Sequence, residues 1–177
     1  MFFVDASHFV YGAFLGYLWC FVRLFVPTGS GRQRLNVLGA VNYASRGMFT
    51  VINRGSIGKR EVCQLIRQIH AATRKPVTLV LDNASYHRAR DVRELANSLQ
   101  IELLYLPPYS PNLNLIERVW KLVKKLALSA RVLPDFESFA ASVTSTLENL
   151  ETDHQDELTN LLTPNFQDFD DAQVSPA

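Results

Sequence analysis

The order of apolar runs along this chain predicts an α/β fold, a mixed sheet flanked by helices. Three observations carry the prediction. Short β-rich runs occupy the first third of the chain, two further continuous apolar runs follow, and stretches with helical apolar spacing separate and succeed them.

Taken in order, "MFFVD" reads as a short buried strand ending at Asp5. "YLWCFVRLFV" reads as a second extended segment, closed by Pro27 and the loop "TGSGRQR". "LNVLGAVNY" and "MFTVINRG" are β-rich runs separated by "ASRG", a hairpin pattern. From Lys59 to about Thr73, apolar residues at Val62, Leu65, Ile66 and Ile69 fall at helical spacing. "KPVTLVLDN" is a continuous apolar strand of the kind buried on both faces. A helix near residues 88–99 and a strand, "IELLYL", come next. A proline-rich loop then opens into a helix whose inward stripe is Ile116, Val119, Trp120, Val123 and Leu126. The last helix starts after Pro134 with Asp135 as its N-cap.

The 177 residues, 47% hydrophobic, suffice for one domain with a real core. The expected division is a catalytic body over residues 1–150 and an acidic, partly disordered C-terminal tail over 151–177. Cys20 and Cys63 show no pairing pattern, which fits a reduced intracellular chain. The run "FLGYLWCFVRLFV" is too short to span a membrane and contains Arg23, and Asp5 and His8 interrupt any signal peptide. The expected location is cytoplasmic. His8, His70 and His154 lack metal-ligand spacing, so no zinc site is expected.

The net charge of +1 conceals a strong asymmetry. All 18 Lys and Arg lie in residues 1–131 beside 7 acidic residues, a net +11; residues 132–177 carry 10 acidic residues and no Lys or Arg, a net −10. A body this basic suits a polyanion, since neutralising phosphates releases counterions. The plainer alternative is a solvated surface with an acidic tail.

Asp5 and Asp82 both stand at expected strand ends, where side chains of an α/β sheet emerge into a crevice. Glu117 enters from a helix able to pack against the same edge. Three converging carboxylates repel one another unless divalent cations neutralise them, and oxygen-only ligands favour Mg²⁺ or Mn²⁺. Two such ions would clamp the attacking and leaving oxygens of a phosphoryl displacement. Plainer readings stand beside each residue: an Asx turn at Asp82-Asn83, a capping box from Asn114 to Glu117, a Glu117–Lys121 ion pair, and a solvated lysine face.

The stretches "FVDASHF", "LVLDNASYH" and "YLPPYSPNLNLIERVWKLVKK" resemble the three blocks of DDE transposases, in the bacterial insertion-sequence branch of the mariner superfamily. From Asp82 to Glu117, 34 residues intervene, the spacing typical of that branch. The resemblance spans roughly residues 1–130. It implies a ribonuclease H-like fold, with Asp5, Asp82 and Glu117 as catalytic and metal-binding triad for two Mg²⁺ or Mn²⁺ ions. Asp5 would bridge both ions. It implies nicking of the element's ends and attack of the freed 3′-hydroxyl on target DNA, without a covalent protein–DNA intermediate. Asn83, His87 and Asn114 match motif positions lining the site and are expected to support it. Arg118, Lys121, Lys124 and Lys125 are expected to face double-stranded DNA, with Tyr109 and Pro111 packing the loop. Such enzymes generally work as homodimers on paired ends and carry an upstream helix-turn-helix region. Nothing precedes Met1 here, so a separate upstream polypeptide is one expectation, and a non-catalytic DNA-binding remnant is the alternative function. With only four residues before Asp5, the central strand is expected to be short.

Overall fold

The computed structural model describes residues 1–12, 21, 33–73, 75–108 and 110–163. The expected extended segment at 17–26, the packing of Tyr109 and the tail beyond Pro164 lie outside the described residues.

Five strands form one mixed sheet: β1 (Phe2–Val10), β2 (Arg34–Asn42), β3 (Met48–Asn53), β4 (Val77–Leu81) and β5 (Ile101–Tyr105), in spatial order β3-β2-β1-β4-β5. β1, β2 and β3 are antiparallel, while β4 and β5 run parallel to β1. The hairpin is closed by Asn42, whose side-chain oxygen accepts from the backbone N–H groups of Ala44 and Ser45 at 2.8 and 3.0 Å. α1 (Lys59–Ala72) carries the chain from β3 to β4, and α2 (Arg90–Ser98) carries it from β4 to β5. Parallel neighbours need such crossovers.

Strand alternation divides the core between the two faces of the sheet. Phe2, Val4, Leu38, Ala40, Leu79 and Leu81 pack against α1 and α2. Phe3, Phe9, Val37, Val41 and Val80 pack against α3 (Ile116–Leu128) and α4 (Phe136–Glu148). Asp135 caps α4 as expected, accepting from the Ser138 backbone N–H at 2.7 Å.

Two expectations are corrected. β1 is nine residues long and not a stub ending at Asp5, because antiparallel pairing with β2 continues from Phe2↔Asn42 to Val10↔Arg34. The core does not stop near residue 150 either. Two short helices follow, α5 (Leu150–Asp153) and α6 (Gln155–Leu161), and Leu150, Leu158 and Leu162 are fully buried beneath α3 and α4. The segment is acidic only on its outer side, so its composition masked its place in the core. No helix among the described residues is long and apolar enough to cross a membrane.

Candidate active site

β1 pairs with β4 at Phe2↔Leu79 and Phe3↔Val80, and β4 ends at Leu81. Just past that point the two strands part, and the next residues on the α3 side are Asp5 and Asp82. A split between parallel neighbours is where an α/β sheet opens a crevice. The crevice here is a cleft of about 440 Å³ lined by Asp5, Asp82, Asn83, Leu106, Pro107, Pro108, Ser110, Asn114 and Glu117. All three sequence-predicted carboxylates therefore reach one cleft, from β1, from the end of β4 and from the first turn of α3.

Alternation puts Asp5 on the face that holds Phe3 and Phe9, so its half-buried carboxyl lies between α3 and the cleft. Burial pushes its pKa from 3.8 up to about 7, with the Glu117 charge and then Asp82 adding to the rise. Two donors oppose it: the Ala6 backbone N–H and the Trp120 indole, whose Nε1–H donates to Asp5 Oδ2 at 3.1 Å.

Asp82 has the opposite environment. His87 Nδ1 lies 2.6 Å from Asp82 Oδ1, and this hydrogen bond holds the carboxyl below its ordinary range. Burial opposes the effect, and the Ala84 N–H adds to it at 3.1 Å. His87 is not a surface histidine: it is fully buried, and its Nε2 has no hydrogen-bond partner among the described residues. A buried N–H without an acceptor is rarer than a bare acceptor, so the proton belongs on Nδ1, donated to Asp82. The turn carrying this pair is tied to β5, where Tyr105 Oη donates to the His87 carbonyl at 3.1 Å and the Arg88 guanidinium lies 5.0 Å over the Tyr105 ring. Asn83 fastens the same turn, with Nδ2 donating to the Leu106 carbonyl at 2.6 Å and Oδ1 accepting from Arg88.

Glu117 is placed by Asn114. The side chain of Asn114 does not form the capping box its spacing suggests; Nδ2 donates to the Val4 carbonyl at 3.0 Å, and the α3 N-cap position falls at Leu115. One buried amide thus pins the start of α3 to the strand residue preceding Asp5. Among the described residues no Glu117–Lys121 ion pair forms.

The basic residues of α3 separate into two groups. Lys121 and Lys125 are exposed. Lys124 is half-buried, its ammonium 5.6 Å over the Phe9 ring. Arg118 departs from the expected DNA-facing role: its Nη1 donates to the carbonyls of Leu161 and Thr163 at 3.0 and 2.9 Å, closing the end of α6.

Among the described residues no three His, Cys, Asp or Glu side chains gather tightly enough to hold a single ion together. The carboxylates instead line the cleft around Asp5, which feels both of the others. Asp5, driven toward protonation by burial and by the charges of its two neighbours, is the kind of oxygen ligand that a hard divalent cation relieves.

The family profile described as DDE superfamily endonuclease matches residues 1–140. The chain belongs to this family. An insertion element IS630 uncharacterized 39 kDa protein of Shigella sonnei is 26% identical over 99 residues, covering 54% of this chain and 29% of that protein. The uncharacterized protein y4pE/y4sA of Sinorhizobium fredii is 37% identical over 59 residues, 33% of this chain and 42% of the relative. The chain therefore spans less than half the length of these curated relatives. Among solved structures, the Mos1 mariner paired end complex with Mn superposes with a TM-score of 0.67 at 15% identity, over 91% of this chain and 51% of that one. That likeness establishes the ribonuclease H-like DDE fold, in agreement with the mixed five-stranded sheet.

Two contributors escaped sequence reasoning. Trp120 reads as an ordinary member of an inward stripe, and its indole donates to Asp5 instead of only filling the core. Gly39 reads as one glycine in a β-rich run, yet it stands directly opposite Asp5 on β2. A glycine paired across from a carboxylate in a strand is the signal that could have found both.

Proposed function

We propose that this DDE endonuclease domain is the catalytic domain of a transposase, cleaving DNA strands at transposon ends and joining them to target DNA. The observation that carries the reading is the convergence of Asp5, Asp82 and Glu117 from three separate elements on one cleft, with Asp5 half-buried between the other two. Asp5, Asp82 and Glu117 would together hold two Mg²⁺ or Mn²⁺ ions. When bound, the ions supply Lewis-acid activation of the attacking oxygen and charge stabilisation at phosphorus. The protein's own work is positional. His87 fixes one oxygen of Asp82, Asn114 fixes the distance between β1 and α3, and Pro107 and Pro108 form a stiff wall of the cleft. Lys121 and Lys125 pair with phosphates of double-stranded DNA that passes beside Glu117. The active form is a homodimer on paired ends, completed by a helix-turn-helix region or a separate polypeptide that recognises them.

A thermal-shift titration with Mn²⁺ tests this against Asp82→Asn and Glu117→Gln. Ligand binding to the folded state alone raises stability by about 2.7 kcal/mol at a hundredfold excess over Kd. The expected result is a saturable rise lost in both variants, accompanied by metal-dependent nicking of DNA. A rise equal in all three proteins, or none in any, would favour a DNA-binding remnant.

A further inference from the structure

We propose that Trp120 is a positioning residue for the Asp5 carboxylate, and that Gly39 is the vacancy on the neighbouring strand that lets its indole reach. The proposal rests on the reading of Asp5 as a metal ligand, and it concerns a contact that the three-carboxylate pattern does not contain.

Trp120 sits one helical turn after Glu117, on the face of α3 that packs against the sheet. It is 2% exposed, so its N–H must find an acceptor inside the protein, and the acceptor is Asp5 Oδ2. The ring gets there by lying across β2 at Gly39, the residue registered opposite Asp5. A Cβ at position 39 would stand 2.5 Å from Cη2 and 2.9 Å from Cζ2 of the indole, and 3.0 Å from Cε of Met48. Real Cβ atoms do not approach ring carbons that closely, so any side chain at 39 displaces the indole. Phe9 closes the other side, its ring edge-on to Trp120 with centroids 6.3 Å apart. The indole is therefore held in one pose, between a strand without a side chain and an aromatic edge.

The consequence falls on the carboxylate. The Ala6 N–H and the Trp120 N–H both donate to Asp5, which restricts its rotation, and the indole fixes Oδ2. A ligand oxygen fixed in this way binds its ion without an ordering cost, and losing such an outer partner typically weakens metal affinity about 10–100-fold. α3 thus delivers two things to the site: Glu117 directly, and the orientation of Asp5 through Trp120.

The test uses the full chain labelled with ¹⁵N. The two tryptophans give two indole N–H resonances, assigned with Trp19→Phe. Titration with Mg²⁺ should move the Trp120 indole resonance with the same midpoint as the backbone resonances around Asp82 and Glu117. Calorimetric titration with Mn²⁺ should show affinity weakened about 10–100-fold in Trp120→Phe, which keeps an aromatic ring and loses the donor. Gly39→Ala, which keeps the donor and blocks its approach, should weaken affinity in the same range. A purely structural role would lower melting temperature in both variants and leave the affinity of the folded protein unchanged. Should Trp120→Phe fail to fold, the wild-type indole titration and Gly39→Ala decide together. Ion binding that shifts Asp82 and Glu117 but leaves the Trp120 resonance still, or leaves affinity intact in the folded variants, overturns this proposal alone. Absence of any ion binding by the wild-type chain overturns it together with the metal-site reading.

Discussion

Replacing Asp5 by Asn should stabilise the metal-free protein, and the gain should grow with pH. The folded-state pKa of Asp5 is raised from 3.8 to about 7, so between those values the folded chain holds a proton that the unfolded chain has lost. Folding is then favoured at low pH. The contribution is fully present below the unfolded value and is lost as pH rises through about 7. At about 1.36 kcal/mol per pH unit, the penalty above pH 7 amounts to at most about 4 kcal/mol, and relaxation of the cleft brings the expectation to roughly 2–4 kcal/mol. Asn keeps the shape and still accepts from Trp120, but carries no charge to bury. Urea unfolding in EDTA at pH 5 and pH 8 measures the difference. The gain of Asp5→Asn over wild type should be about 1–2 kcal/mol at pH 5 and about 2–4 kcal/mol at pH 8. A gain that is flat across this range, or an Asn variant less stable than wild type at pH 8, would refute the claim that Asp5 is buried against its own ionisation.

Three further outcomes follow from particular contacts. Leu158→Ala should cost about 2–5 kcal/mol in chemical denaturation, because Leu158 is fully buried in the α3–α4 core; a cost below about 0.5 kcal/mol would return residues after 150 to a peripheral tail. His87→Phe should lower the melting temperature more at pH 7 than at pH 3. Asp82 is held below 3.8 mainly by His87, so that stabilisation exists above the unfolded pKa and fades as pH falls through the folded one. Arg118→Ala should lower the melting temperature by loosening the end of α6, while the salt dependence of DNA affinity stays unchanged. A slope reduced by about one phosphate's worth, roughly 0.9, would instead make Arg118 a DNA contact.

The convergence of Asp5, Asp82 and Glu117 on one cleft and the outline of the sheet were legible because local signals and tertiary structure agree there. "LVLDNASYH" is apolar until the strand ends, and the polar residues that follow are the ones that form the turn. β1 was misjudged because Asp5 looks like a strand terminator by composition. What continues the strand is cross-strand pairing with β2, which no local window contains. The plainer reading of Asn114 to Glu117 as a capping box is not realised, for a related reason. An amide can serve either a helix end or a neighbouring strand, and the Val4 carbonyl, 110 residues away in sequence, takes it. Arg118 shows the same limit on charge: a cation beside a catalytic carboxylate suggests a phosphate, while the carbonyls it meets belong to a helix whose place in the core was hidden by its acidic exterior.

The arrangement also explains why the site sits against the packed core rather than on a loose rim. A carboxyl whose pKa is raised this far costs stability at neutral pH, and it persists only if the surroundings over-determine its position. β1 supplies that constraint on one side through nine residues paired with β2, and α3 supplies it on the other through a buried stripe that includes Ile116, Val119, Trp120 and Val123. The same packing that half-buries Asp5 leaves its carboxyl few ways to relax except by meeting a cation. Stability withheld by the unneutralised Asp5 carboxyl therefore becomes affinity for whatever neutralises it, and the rigidity of β1 and α3 sets how much of that affinity is realised.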